Sequence, residues 1–398
     1  GVLTQADDAN PEVIQLDASL FPPEATWPEV AVGAVFTTPV VGIMDYHDAI
    51  YTVHVTAPLL SDATGQVFAE TTILTGDALY LTVGALNSNG LSDADAQAAF
   101  TALATLIADN LGSPDLIVLE EVGDNSGDLD DGVVAADQTL NKLVTAVQNA
   151  GGPVYSFTQI DPLDAEDGGM VGRNSRSAIL YNLARLQFSA QPGDAITDNS
   201  VLCNSGRATL AFNPGRIAAT SADFLDSRKP LAAQFGFGDE TLFVIAVHLD
   251  DRTTDSPRFG ALQPPLLNSA ARRLAQAQLV HNFVQQILSC EPGAKVIVAG
   301  SLNDDPFAPA VAALQGTELT SLLELLPTNA AYSEVSAGVS RVAGQMLVSA
   351  ALWGSRPDFD VVHTLAEFAN APIRHDPAVA RITLADITAA SYLPLVTR

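Results

Sequence analysis

The hydrophobic positions of this chain fall into short, continuous runs that end abruptly on polar side chains. LYLTVGALN (79–87), LIVLEEV (116–122), SAILYN (177–182), TLFVIAVHLDD (241–251) and VIVAGSLNDDP (296–306) all have this form. Runs of that length without alternation mark strands covered on both faces, because neither face then needs polar residues. Between them, Asp93 to Leu111, Val133 to Ala150 and the alanine-rich stretch Asn268 to Leu288 have helical spacing, the first behind an Asp cap. QMLVS (345–349) and RITL (381–384) add two late strands. Strands mixed with long helices predict an α/β sandwich whose loops share one rim.

Upstream the pattern changes. Residues 1–30 are rich in proline and acid, lack a period and read as an extended arm. From Gly33 to Pro58, two β-branched runs flank Asp45, His47 and Asp48, a hairpin signal that marks 31–78 as a small β segment. The Pro-rich stretch RFGALQPPLLN (258–268) is framed by apolar residues and a helix start, and reads as an ordered connection.

With 398 residues, 47% of them hydrophobic, the chain can bury an ample core without a disulfide framework. Charge alters the picture more. Against 18 basic residues stand 46 acidic ones, a formal net charge of -28 and a pI near 4.2. Displacing counterions from nucleic-acid phosphates takes lysine and arginine, so nucleic acid is an unfavourable partner. The acidic surface suits divalent cations, high salt or an extracellular setting. Cys203 and Cys290 leave a bridge and two free thiols equally open. No apolar run reaches the roughly 18 residues of a membrane span. The start at Gly1, without methionine or leader, is what a processed secreted product would have.

The strand ends offer Asn87, Glu121, His248 and Asn303, and IRHDP adds His375 and Asp376. Singly, each has a structural explanation: His248 as a bonded core imidazole, Asn303 as a turn cap. Together, an amide, a carboxylate and two imidazoles on one rim suit metal-assisted attack on a phosphodiester, the cation on Glu and the proton on His. A second acidic group, Asp124, Asp128, Asp130 and Asp131 in the loop DNSGDLDD, offers oxygen ligands for Ca²⁺, although it lacks EF-hand spacing.

The blocks LIVLEEVGDNSG, DGGMVGRNSRSAILYNLARL, NPGRI, DSRKPLAAQF, FVIAVHLDDR, VIVAGSLNDDP and HDPAVARITL, in that order, resemble the bacterial extracellular nuclease branch of the endonuclease/exonuclease/phosphatase superfamily. The resemblance runs from Leu79 to Leu384, and VVGIMDYHDAIYTVHVTAP resembles the end of a small β domain that often precedes the nuclease. It implies the four-layered α/β sandwich of pancreatic-type deoxyribonuclease over 79–398: two facing mixed β-sheets flanked by helices. It also implies roles. Asn87 matches an active-site amide, Glu121 the metal-binding carboxylate, Arg176 and Tyr181 the N-I-R-V-A-F-L-Y block, His248 the N-H-L-K-S histidine, Asn303 the G-D-x-N asparagine, and His375 the catalytic histidine of S-D-H-D-P.

The departures from that pattern are specific. Ser301 stands for the aspartate of G-D-x-N, Gly344 for the metal-side aspartate of V-L-D-H-I-L-V-S with Gln345 after it, Arg374 for the aspartate of S-D-H-D-P, and Asp250 for the lysine of N-H-L-K-S. Losing a triad-type orienting acid alone can cost about 10⁴ in turnover, and Arg374 beside His375 disfavours an imidazolium. Two readings follow. In the first, the chain is a secreted or cell-surface pseudoenzyme that needs no cofactor. It would be a structural or binding component of an extracellular assembly, with copies of itself or other extracellular components as partners and the arm 1–30 as the link. In the second, it remains a Mg²⁺- or Ca²⁺-dependent phosphodiesterase, with Asp304 or Asp305 replacing the lost acid across a local bulge.

Overall fold

Both faces of the principal strands are covered, which is why their apolar runs are uninterrupted. The computed structural model describes residues 2–3, 5, 13–47, 50–62, 67–258, 260–336, 338–368, 371 and 375–384. Two six-stranded sheets face each other. The first has the order Asp358–Val361, Ala378–Thr383, Tyr80–Asn87, Leu116–Val122, Arg176–Asn182, Tyr155–Gln159. The second has the order Gly215–Arg216, Leu231–Phe237, Glu240–His248, Lys295–Ser301, Gly344–Ser349, Leu319–Ser321. Val83, Val118 and Ile179 of the first meet Ala233, Val244 and Ile297 of the second in a solvent-free layer. One residue further along each strand, the side chain points outward. Ile117 and Leu119 pack under the helices Gln97–Thr105 and Asp137–Asn149. Phe243, Ile245 and Val247 pack under Ala270–Cys290 and Pro309–Gln315. This is the expected four-layered sandwich. Each such buried aliphatic stabilises by roughly 1.5–3 kcal/mol, so the rim is held by a rigid frame.

Each large sheet contains a parallel pair joined by a helical crossover, the connection that parallel strands require. Tyr80–Asn87 lies beside Leu116–Val122, and Glu240–His248 beside Lys295–Ser301. Register then sets Asn87 opposite Glu120, His248 opposite Ser301, and Ser301 opposite Gly344 on the next, antiparallel strand. The carboxyl ends of both parallel pairs carry the polar residues, the usual place for a site in α/β sheets.

Three expectations need correction. The helix Gln97–Thr105 begins later than the spacing predicted: Asp93 and Asp95 are drawn to Lys142 and Arg173, and Ala96 precedes the helix without a side-chain cap. The helix Asp137–Asn149 likewise begins after Val133. The arm is folded onto its own chain. Ile14–Asp17 pairs in parallel with Ile50–Val55, which also pairs with Gly42–His47, and Leu3 is buried with its N–H donating to the Ser340 carbonyl. The hairpin is present, with Asp45 and His47 in its first strand; Asp48 lies outside the described residues. Strand period 2 puts Ile14, Met44, Tyr46 and Tyr51 on one face of this small sheet, and Asp17, Asp45 and His54 on the other.

Among the described residues no helix is long and apolar enough to cross a membrane. Cys203 and Cys290 are joined, tying the hairpin strand Val201–Asn204 to the end of the helix Ala270–Cys290. The bond closes a sequence separation of 87 residues. In the chain-entropy account a loop of that size stabilises by about 2–5 kcal/mol. Urea denaturation with and without dithiothreitol checks this: the midpoint falls on reduction, and an unchanged midpoint shows that packing alone holds the hairpin.

Candidate active-site cavity

The strand Leu116–Val122 is broken by a bulge at its polar end. Leu119 pairs with Ala178 and Val122 with Arg176, so Glu120 and Glu121 share one partner position, and Glu121 adopts φ +53°. The extra residue cancels the alternation that would point the two acids to opposite faces. Both reach His248: Glu120 Oε2 is 2.9 Å from Nδ1, and Glu121 Oε1 is 3.4 Å from Nε2. The first is an ion-pair approach without an aligned hydrogen bond at Nδ1. Glu120 Oε2 also accepts from Ser301 N–H at 2.8 Å. Gly300 permits that crossing, because at φ +131° a Cβ would lie 2.0 Å from the Val247 carbonyl oxygen and 3.3 Å from Glu120 Cδ. Burial pushes the Glu120 carboxyl upward, but His248 and the Ser301 N–H outweigh it and hold the group below the usual carboxylate range.

Above this clamp lies a cavity of about 310 Å³. Asn87, Glu121, His248, Ser301, Asn303 and His375 all line it. Asn87 Oδ1 accepts from Asn89 N–H at 2.7 Å. Asn303, at φ +51°, donates from Nδ2 to the Leu249 carbonyl at 2.8 Å. His375 Nδ1 is buried without a hydrogen-bond partner.

A family model described as "Endonuclease/Exonuclease/phosphatase family" matches residues 84–364, and one described as "Domain of unknown function (DUF8508)" matches residues 1–64. The chain belongs to the endonuclease/exonuclease/phosphatase family. Similar solved structures include truncated TDP2 from Caenorhabditis elegans, at 14% identity and TM-score 0.47, covering 76% of this chain and 98% of that one. The human Nocturnin catalytic domain with bound sulfate is 13% identical at TM-score 0.46, covering 77% and 95%. An endonuclease/exonuclease/phosphatase from Bacteroides vulgatus is 11% identical at TM-score 0.45, covering 77% and 99%. Comparison with curated proteins found no match.

Several residues that the family pattern pointed to lie away from the cavity. Arg176 is 2% exposed and turns to Asp161 at 2.6 Å and to the Asn174 carbonyl; burial pushes its pKa down to about 10 despite Asp161. Tyr181 sits opposite Leu116, at the far end of an antiparallel strand, and packs on Phe188 and Phe235 in the core. Asp250 faces Arg272 at 3.7 Å, so it does not put an anion in the cavity; Asp251 does. Asp304 pairs with Arg273 at 3.0 Å and Asp305 with Arg341 at 2.7 Å, which removes both as replacement ligands. Gly344 faces Ser301 across the ladder. Arg374 lies outside the described residues.

The donors left for the family's divalent cation are few. Ca²⁺ takes six to eight oxygen ligands, whereas Mg²⁺ keeps several waters and is held by one or two carboxylates. The carboxylates lining this cavity are Glu121 and Asp251, and Asp251 Oδ1 accepts from Thr253 N–H at 2.9 Å and from its hydroxyl at 2.6 Å. Among the described residues, no group of three His, Cys, Asp or Glu side chains is arranged to hold a metal. The loop acids do not converge either. Asp124 is fully buried and accepts from Ser126 N–H, Gly127 N–H and Asn174 Nδ2. Asp128 pairs with Arg173 at 2.6 Å, Asp131 accepts from Ser126 and Val133, and Asp130 is exposed.

Sequence reasoning missed Glu120, Ser175, Arg228 and Asp251. The doubled acids Glu120–Glu121 and Asp250–Asp251 at two strand ends were the available signal. Arg228, inside the matched block DSRKPLAAQF, was not singled out: it is 7% exposed, lines the cavity, and its Nε has no acceptor.

Behind His375, Asp376 Oδ2 lies 3.0 Å from His363 Nδ1, while its Oδ1 accepts from the N–H groups of Thr364, Leu365 and Ala366. The His363 ring stacks on Tyr332, whose hydroxyl donates to Glu367. Burial pushes the imidazole down, but Asp376, with Glu70 and Glu367 nearby, raises it above 6.5. A raised folded value means that the stabilisation is complete below the unfolded pKa and is lost as pH rises through the folded one. The isosteric Asp376→Asn therefore destabilises more at pH 6 than at pH 9 in urea denaturation, and an equal loss at both would count against the pair.

Proposed function

We propose that this family member has given up metal-dependent phosphodiester cleavage and serves as a secreted or cell-surface binding or structural component of an extracellular assembly. The observation that carries the reading is the corner where Ser301 faces Gly344. The family resemblance puts an acid at each of these positions, and here neither side chain bears charge. The carboxylate beneath, Glu120, is engaged by His248 and by Ser301 N–H. The Cys203–Cys290 bridge supports an oxidising compartment, and the net charge of -28 supports solubility there. Because the arm is folded onto its own chain, it is not offered as the link between copies.

The opposing reading, a divalent-metal nuclease with an atypical site, rests on Asp251, the second carboxylate in the cavity. Supercoiled plasmid with Mg²⁺, Mn²⁺ or Ca²⁺ decides between them. We expect no nicking, and nicking that disappears in His248→Ala reverses the choice.

The lapse is also testable by reconstruction. A Cβ on Gly344 would meet only the Gly300 carbonyl oxygen at 3.9 Å, so the backbone there leaves room for one. Ser301→Asp with Gly344→Asp should create Mn²⁺ binding in calorimetry where the parent chain gives none. A folded double variant with no added affinity would show that these two acids are not what the site lacks.

A further inference from the structure

A larger cavity, of about 840 Å³, adjoins the first. Asp251 and Asn303 line the smaller one; their chain neighbours Arg252 and Asp304, with Asp305, line the larger. Four of the chain's 18 basic residues, Arg252, Arg258, Arg273 and Arg341, stand in its wall. Three of them gather on one carboxylate. Asp305 accepts from Arg341 at 3.1 and 2.7 Å, while Arg258 Nη1 is 3.4 Å and Arg252 Nη1 3.8 Å away. Arg252 Nη2 reaches Glu334 at 3.0 Å, but its Nη1 is buried with no acceptor. The side chains of Arg252, Arg258 and Arg341 remain 17–18% exposed, so they still front the cavity.

Rings supply part of the remaining wall, beside Asp255, Gln263 and Leu267. Phe307 lies 5.2 Å from the Arg258 guanidinium, Pro264 and Pro265 stand near it, and Tyr46 comes from the small sheet. Tyr46 lies in the segment matched by the domain of unknown function, and the arginines lie in the nuclease-fold segment. The cavity therefore exists where two units meet, a favoured location for ligand sites, and its volume lies within the usual few hundred to 1,000 Å³ or so.

We propose that this cavity binds a small organic phosphate, with the phosphate on the arginines and a planar ring against Tyr46 and Phe307. A guanidinium fork matches phosphate oxygens two at a time, and flat side chains offer stacking area at little entropic cost. Burial and the like charge of Arg341 disfavour the charged form of Arg252, and a bound anion would offset this by pairing with the guanidinium. Three acids share the wall, Asp255 and Asp304 held by Arg273 and Asp305 by Arg341, and the surplus of acids farther off opposes entry only weakly, since charges beyond about 8 Å are screened at physiological salt. The proposal is independent of whether the smaller cavity retains any cleavage.

Calorimetry with adenosine monophosphate in EDTA tests it. We expect binding, with adenosine and inorganic phosphate each weaker by at least about tenfold, since each keeps only one half of the recognition. Arg258→Gln and, from the other wall, Tyr46→Ala should each weaken binding by about tenfold while the far-ultraviolet circular dichroism stays that of the parent chain. His248→Ala tells the cavities apart. Binding lost there and kept in Arg258→Gln assigns the ligand to the smaller cavity and overturns the proposal. So does the absence of any heat at millimolar nucleotide, or affinity unchanged in the Arg258→Gln, Tyr46→Ala double variant.

Discussion

The carboxylate of Glu120 is the point through which the two sheets meet at the rim. A buried charge is costly unless its oxygens find donors. Glu120 finds a donor on the opposite sheet in Ser301 N–H, with the His248 ring as an ion-pair neighbour. That requirement fixes several other residues. Gly300 must lack a side chain for the carboxylate to pass. The bulge at Glu121 must be present, or one of the two acids would face the other way. His248 and Ser301 must be in register on their parallel strands. Removing any one of these leaves an uncompensated charge in a dry layer, so the positions behave as a unit.

The same tie explains how the site can do without the acids that the family pattern places at 301 and 344. Carboxylates crowded at one corner repel unless a cation lies among them, and one of them would be driven neutral. Here the corner holds one buried carboxylate, an imidazole beside it, and two uncharged partners, Ser301 and Gly344. The arrangement is balanced internally. The neighbouring turn is anchored in a comparable way: Asp304 and Asp305 are held by Arg273 and Arg341 rather than facing the cavity. Asp304 and Asp305 are thus engaged by arginines, while Asp251 is the acid that shares the smaller cavity with Glu121.

Much of this was legible in the sequence, for identifiable reasons. Strands buried on both faces announce themselves as unbroken apolar runs, and five of them mark out the frame. The residues closing those runs, Asn87, Glu121, His248 and Asn303, share a cavity because parallel crossovers bring like ends together. What failed was whatever depends on which way one side chain turns. A doubled acid does not disclose that a bulge lets both members reach the same histidine. Tyr181 looked like a site residue because its block matched, yet the antiparallel run of its strand carries it to the far end of the sheet. Arg228 lies in a matched block, DSRKPLAAQF, whose likeness assigned it no role.

The distribution of charge carries a last consequence. With an excess of 28 acids, most carboxylates can only be solvated at the surface, whereas every arginine has acids to choose from. Random placement would scatter the few cations over the surface. Instead, Arg273 is fully buried on Asp255 and Asp304, and Arg252, Arg258 and Arg341 gather on Asp305. Breaking a buried pair costs about 3–5 kcal/mol, so these contacts hold the loops that shape both cavities. A rim anchored by arginines keeps its geometry without a cation.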